Sequence, residues 1–172
     1  MSESHFLNGY MRFKSNRIMI YENDSTDMNI RQYGPGDESE WLRMRIELWP
    51  ELSAQAHRTG MSQWLARADT IVLVAPRIAG GLAGFAEVGS RSLADGCCTS
   101  PVAYLEGWFV DPGVRRRGIG RALVAAAEAW ARRRGFHEFA SDAELENLES
   151  QKAHAAIGFR EVERAVLYLK AL

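Results

Sequence analysis

Cysteine is scarce: two in 172 residues, and those adjacent as Cys97-Cys98. Neighbouring cysteines seldom bridge without strain, so the chain has neither a disulfide framework nor a CxxC metal or redox motif, and a reducing cytoplasm suits it best. Long apolar runs are lacking too. Nothing approaches the ~20 residues of a membrane-spanning helix, and the early stretch Ile18 to Tyr21 is too brief for a signal-peptide core. Without a secretion signal, the sequon Asn23-Asp24-Ser25 is read as a chance match. Charge of one sign is not in excess either. With 21 basic and 22 acidic side chains, the net charge of −1 gives no general pull toward nucleic acid or membrane.

What is present is the composition of one globular domain, 47% hydrophobic and 25% charged, with enough length to bury a core unaided. Residues 1–27 show no sustained periodicity and are read as an N-terminal extension or leader, with the domain proper spanning 28–172. From Met28 the pattern becomes regular. A strand is expected over Met28 to Tyr33, then a helix started by a capping box, Asp37-x-x-Glu40, and carrying Trp41, Met44, Leu48 and Trp49. A second helix is expected over 53–66, and strands over 70–74, 81–90 and 102–110, separated by a turn at 77–81 and a polar loop at 92–100. Ile119, Leu123, Ala126, Ala127 and Trp130 mark one face of an amphipathic helix ended by Gly135. A short strand at 136–140, a helix at 147–156 and a last strand over Phe159 to Leu169 complete the chain. Strands alternating with helices predict an α/β or α+β domain built on a mixed sheet.

Charge is segregated along the second half. Seven arginines (115, 116, 117, 121, 132, 133, 134) lie between Pro112 and Arg134 against one acid, whereas 137–151 holds five acids. Such blocks suit an anionic ligand beside a cationic one; each taken alone is also what a solvated face looks like. The arginine block contains a strand-to-helix turn, Val110-Asp111-Pro112-Gly113-Val114-Arg115-Arg116-Arg117-Gly118-Ile119-Gly120-Arg121. Glycines there permit close backbone approach, and free N–H groups with the helix dipole favour a pyrophosphate. It is not a Walker loop, because Ile119 and Gly120 stand where Lys and Ser/Thr must follow. It is not the dinucleotide fingerprint, because Leu123 stands at the third glycine.

Arg115-x-x-Gly118-x-Gly120 resembles the acetyl-CoA motif of the GNAT N-acetyltransferases, with Asn147 ahead of a helix that closes in Gly158-Phe159 as that pattern expects. A narrower resemblance, over 28–172, is to the aminoglycoside 6′-N-acetyltransferases. It is carried by Leu48-Trp49, Ser100-Pro101 through Leu105-Glu106-Gly107, the block Glu138 to Ala143, and His154 with Ile157-Gly158-Phe159. The resemblance implies the GNAT fold, a central mixed, mostly antiparallel sheet flanked by helices and splayed at the cofactor site. It also implies a homodimer that transfers acetyl from acetyl-CoA to the 6′-amino group of aminoglycosides, with no metal. Cofactor contacts are then expected from Val110, Arg115, Arg116, Arg117, Gly118, Ile119, Gly120, Arg121 and Asn147. Acceptor contacts are implied for Trp49, Glu106, Asp142 and Glu163.

An ammonium cannot attack a thioester until it loses a proton. Glu106 is the candidate base, because Gly107 beside it in the strand signals a bulge or close ligand approach. The usual GNAT tyrosine, which returns a proton to the CoA thiolate, is replaced by His154, which leaves the acid role open. Structural readings stand beside each of these: a solvent-facing strand residue for Glu106, core packing for Trp49, a turn former for Asp142, an N-cap for Asn147 and a packing residue for His154. Direct transfer in a ternary complex is simpler than an acyl-enzyme on Cys97 or Cys98, for which no adjacent base is visible. The competing functions are acetylation of another cationic amine, such as a polyamine or a peptide N-terminus, and non-catalytic acyl-CoA sensing.

Overall fold

The computed structural model describes residues 29–171. The proposed leader 1–27, its sequon and Met28 lie outside the described residues. Five strands form one sheet in the order β1 (Arg31–Gln32), β2 (Ile71–Pro76), β3 (Leu82–Arg91), β4 (Val102–Val110), β5 (Phe139–Ser141). The first four pair antiparallel and β4 pairs parallel with β5, so the expected mixed, mostly antiparallel sheet is formed. A parallel pair needs a crossover, which α3 (Ile119–Arg133) supplies.

Two apolar clusters sandwich the sheet. Under α1 (Glu38–Leu48) and α2 (Ala54–Ala66) lie Trp41, Met44, Met61, Val72, Val74, Leu82, Phe85 and Phe109; under α3 lie Leu73, Ala75, Ala86, Val88, Leu105, Leu123, Val124, Ala127 and Trp130. Successive residues of β2 feed opposite clusters, which is why its sequence is continuously apolar rather than alternating. Trp41 and Leu123 are fully buried, each contributing about 1.5–3 kcal/mol of transfer free energy. Gly135, at φ +82°, closes α3 with a Schellman pair in which the Phe136 amide donates to Ala131 and the Gly135 amide to Arg132.

Several expectations are corrected. The strand expected from Met28 is regular only at Arg31–Gln32. The box Asp37-x-x-Glu40 does not form. The Asp37 carboxylate accepts from the Gly34 amide at 2.8 Å and from Arg31, while Glu40 accepts from the Leu82 amide and from Arg43. Longer-range partners outbid the local cap. The strand expected over Phe159 to Leu169 is absent: 159–171 adopt no regular element, and Leu167, Tyr168 and Leu169 are at least 92% exposed. A strand exists only if a neighbour accepts its ladder, and this segment pairs with no described strand. Before it, α4 (Leu148–Ala156) packs its C-terminal end, through Ile157 and Phe159, against the α3-side cluster.

Candidate active site

At the end of β4 the chain makes one 3-10 turn over Pro112–Val114 and then two left-handed steps, Arg116 at φ +60° and Gly118 at φ +84°. Positive φ in this pattern turns consecutive amides to one side and forms an anion-binding concavity. The first amide past the turn to reach a carbonyl is that of Ala122, which donates to Gly118 at 2.9 Å, so the preceding amides of the helix start remain as donors for a ligand. Only part of the arginine block faces outward. Arg115 Nε donates to the Val110 carbonyl at 2.9 Å and Arg121 donates to that of Ala156 at 2.8 Å. Gly120 serves packing as well as approach: a Cβ there would meet the Trp108 ring at 2.8 Å, so the strand side of this glycine is already filled.

The turn is held from behind by Asp111, a residue the sequence did not single out. Its carboxylate accepts from Arg43 of α1 at 3.0 Å through both oxygens, and from Arg77 of the β2–β3 turn. Burial alone would raise its pKa; the two guanidinium groups outweigh burial and hold it below the usual range.

Beside the turn the sheet opens. Pairing of β4 with β5 ends at Leu105–Ser141, while β4 runs on to Val110 without a strand on that side. At the same point β4 is bulged: Glu87 pairs with Gly107 and Val88 with Leu105, leaving Glu106 as the extra residue. Leu105 and Trp108, three apart, therefore both join the α3-side cluster, which an unbroken strand does not allow. The bulge inferred from Gly107 is present. Gly107 itself admits Trp49, since a Cβ there would lie 2.7 Å from the indole ring.

Around Glu106 the candidate acceptor residues gather, together with others the sequence did not flag. Arg91, the last residue of β3, donates Nε to Glu106 at 2.8 Å and a second N–H to its other oxygen. Its guanidinium lies 3.4 Å from the centroid of Tyr104, whose hydroxyl donates to Asp142 at 2.6 Å. Burial, then this bond to Asp142, pushes the Tyr104 hydroxyl well above its ordinary pKa, so it remains a donor. Trp49 caps α1 and stacks at 4.7 Å on the Arg45 guanidinium, which pairs with the buried Glu87; Trp41 Nε1 donates to the same carboxylate at 2.7 Å. Burial raises Glu87 despite its partners. A single acid within the apolar run Leu82 to Val88 was the available signal for this pair.

His154 faces the gap from α4. Its Nδ1 lies 2.8 Å from the Ser150 carbonyl, and Nε2 lies 3.0 Å from Ser141 Oγ, whose hydroxyl also reaches the Leu105 carbonyl at 3.1 Å. With protons on both ring nitrogens, Nε2–H donates to Ser141 and Ser141 donates to Leu105. Without the Nε2 proton the serine hydroxyl turns to the ring. The imidazole thus has partners in both states, a property sequence spacing alone did not reveal. It also meets Trp108 and Phe159 edge-on, each at 5.2 Å. Asn147 Oδ1 accepts from the Ser150 amide at 3.0 Å and so caps α4. Glu138, within the acidic block, accepts from the Cys98 amide at 2.9 Å and from Thr99, so it fastens the 92–101 loop. Burial and Glu138 push the Cys97 thiol upward, against an acyl-enzyme role. Glu163 lies on the irregular tail, exposed, and no described contact joins it to Glu106 or Asp142. Among the described residues no group of three or more acidic, histidine or cysteine side chains is placed to hold a metal.

Residues 38–159 match the Acetyltransferase (GNAT) family. An aminoglycoside N(6′)-acetyltransferase type 1 from Klebsiella aerogenes is 44% identical over 148 residues, spanning 83% of this chain and 96% of its own. One from Stenotrophomonas maltophilia is 41% identical, over 81% and 90% respectively. Among solved structures, an aminoglycoside 6′-N-acetyltransferase from Acinetobacter haemolyticus superposes with a TM-score of 0.80 at 36% identity, covering 84% of this chain and 99% of its own. AAC(6′)-Iy in complex with the bisubstrate analogue CoA-S-monomethyl-acetylneamine gives 0.79 at 37% identity, covering 84% and 98%. Amide-lined turn, parted strands and these similarities together identify the chain as a member of the GNAT acetyltransferase family.

Proposed function

We propose that this protein is an aminoglycoside 6′-N-acetyltransferase that works by direct transfer within a ternary complex. The observation that carries the reading is the position of Glu106: it is the bulged residue of β4, at the point where β4 leaves β5 and on the strand that leads into the amide-lined turn. Acetyl-CoA supplies the activated acetyl group. The amides from Arg116 to Arg121, with the α3 dipole, hold its pyrophosphate; Val110 and Asn147 line the path of its arm, and the outward arginines neutralise phosphate. Trp49 gives the sugar a flat wall, and Glu106 and Asp142 bind ammonium groups of the acceptor. Glu163 is assigned to the same acceptor on resemblance alone.

Glu106, directly or through water, takes the proton that blocks the amine's lone pair. The amine nitrogen bonds the acetyl carbon, the carbon–sulfur bond breaks, and His154 Nε2, relayed by Ser141, is the proton source nearest the departing thiolate. Thiolate leaves tolerably without help, so His154 is secondary to Glu106. The domain proper is 28–172, consistent with a Klebsiella relative whose length is 96% matched within this chain. The enzyme is a cytoplasmic homodimer. An apolar tail at Val166 to Leu169 that is exposed in the single chain supports a dimer, and the unpaired cysteines suit the cytoplasm.

The test mixes the protein and acetyl-CoA with kanamycin, tobramycin, spermidine and a peptide with a free N-terminus, follows thiol release, and maps the modified nitrogen by NMR. Release with kanamycin and acetylation at N6′ are expected. Release with spermidine or peptide alone would favour the other-amine reading. No release with any amine, despite acetyl-CoA binding, would favour a sensor.

A further inference from the structure

Every group assigned to hold the cationic acceptor already holds a cation of the protein's own. Arg91 places its guanidinium fork on both oxygens of Glu106 and lies flat on Tyr104, which is itself bonded to Asp142. We propose that Arg91 is an internal stand-in for the acceptor's ammonium, occupying Glu106 until a polycation displaces it, and that this exchange selects polycationic acceptors over monoamines. The inference rests on the acceptor reading above.

The geometry suits an exchangeable partner rather than a fixed strut. Arg91 ends β3, where the chain enters the irregular 92–101 loop, and its side chain is 43% exposed against 24% for Glu106. No second acid grips the guanidinium: its described contacts are Glu106 and the face of Tyr104. Contrast the buried Arg45–Glu87 pair or the doubly anchored Asp111, where release leaves a charge without solvent. Arg91 can leave by side-chain rotation into water. The Arg91 charge is favoured mainly by its bonds to Glu106 and, at longer range, by Tyr104 and Asp142, the electrostatic site an incoming ammonium meets.

The exchange has a selective consequence. A single ammonium that replaces Arg91 on Glu106 exchanges one ion pair for another and gains little. A ligand carrying further ammonium groups gains the additional attraction of Asp142 and the acidic segment beyond it without a further displacement. A half-exposed pair is weak, so the penalty imposed by Arg91 corresponds to about five-fold in affinity.

The experiment compares wild type, Arg91→Met, Arg91→Lys, Glu106→Gln and the Arg91→Met/Glu106→Gln double variant. Kanamycin Kd is measured by calorimetry, and KM and kcat are measured for kanamycin and for glucosamine as a monoamine. Arg91→Met should lower kanamycin Kd and KM about five-fold with acetyl-CoA KM unchanged, lower glucosamine KM by more, and Arg91→Lys should fall between. In the Glu106→Gln background the gain should vanish. The Arg91 Nε–H resonance should shift on kanamycin saturation in the wild type. Weaker or unchanged kanamycin binding in Arg91→Met, or binding to wild type with that resonance unmoved, overturns the proposal while leaving the acceptor reading intact. If wild type acetylates spermidine or peptide but not kanamycin, the aminoglycoside reading fails by itself and the amine acetylated replaces kanamycin in the comparison. If no amine binds, both fall.

Discussion

Asp111→Asn removes the charge that ties α1, the β2–β3 turn and the start of the anion-binding turn together. The Asp111 side chain is 12% exposed and answers two guanidinium groups, those of Arg43 and Arg77, with Arg43 bound through both oxygens at 3.0 Å. Breaking a fully buried pair costs about 3–5 kcal/mol, but Arg43 and Arg77 are 36% and 35% exposed and recover hydration, so about 2 kcal/mol is expected. In a domain of this size that is a fall in Tm of roughly 4–8 °C. The pH dependence has a definite sign. The folded-state pKa of Asp111 is lowered, so its contribution is complete above the unfolded carboxylate value of about 4 and is lost as pH falls through the folded value. Urea unfolding of both proteins at several pH values should therefore give a gap that is full at pH 7 and closes in acid, with the m-value unchanged. Acetyl-CoA affinity should fall as well, because the turn loses its rear anchor. A gap below about 0.5 kcal/mol at pH 7, or one as large at pH 3 as at pH 7, would refute the reasoning.

Glu106→Gln should lower turnover by ~10²-fold, partly recovered at high pH where free amine is plentiful, whereas His154→Ala should cost much less; stopped assays across pH check both. A collapse in His154→Ala beside a near-normal Glu106→Gln would reverse the assignment. Gly107→Ala drives a methyl toward the Trp49 ring, at 2.7 Å before relaxation, and should raise KM for the acceptor with little change in that for acetyl-CoA, at a stability cost of about 1 kcal/mol. A chain starting at Met28 should fold and retain most acetyl transfer; an insoluble product would assign residues 1–27 a structural role.

The helix α3, its Gly135 stop, the strands β2 to β4 and the anion-binding turn were legible in the sequence because each depends on neighbours within a few residues: apolar period, a glycine able to take positive φ, free amides at a helix start. The bulge was legible through Gly107 for the same local reason. Partnership across the fold was not. Asp37 and Glu40 satisfy a local capping pattern but bind Arg31 and Arg43, because charged partners brought in by folding compete with a backbone cap. The residues over 159–171 have a strand's composition and no strand, because the ladder hydrogen bonds that make one must come from another segment. Arg91 on Glu106, Arg45 on Glu87 and Asp111 between Arg43 and Arg77 span 15, 42, 68 and 34 positions in the chain. Sequence alone determined which residues could carry charge, turn or pack; tertiary structure decided which charges meet, since an ion pair is set by distance in space and not by separation along the chain.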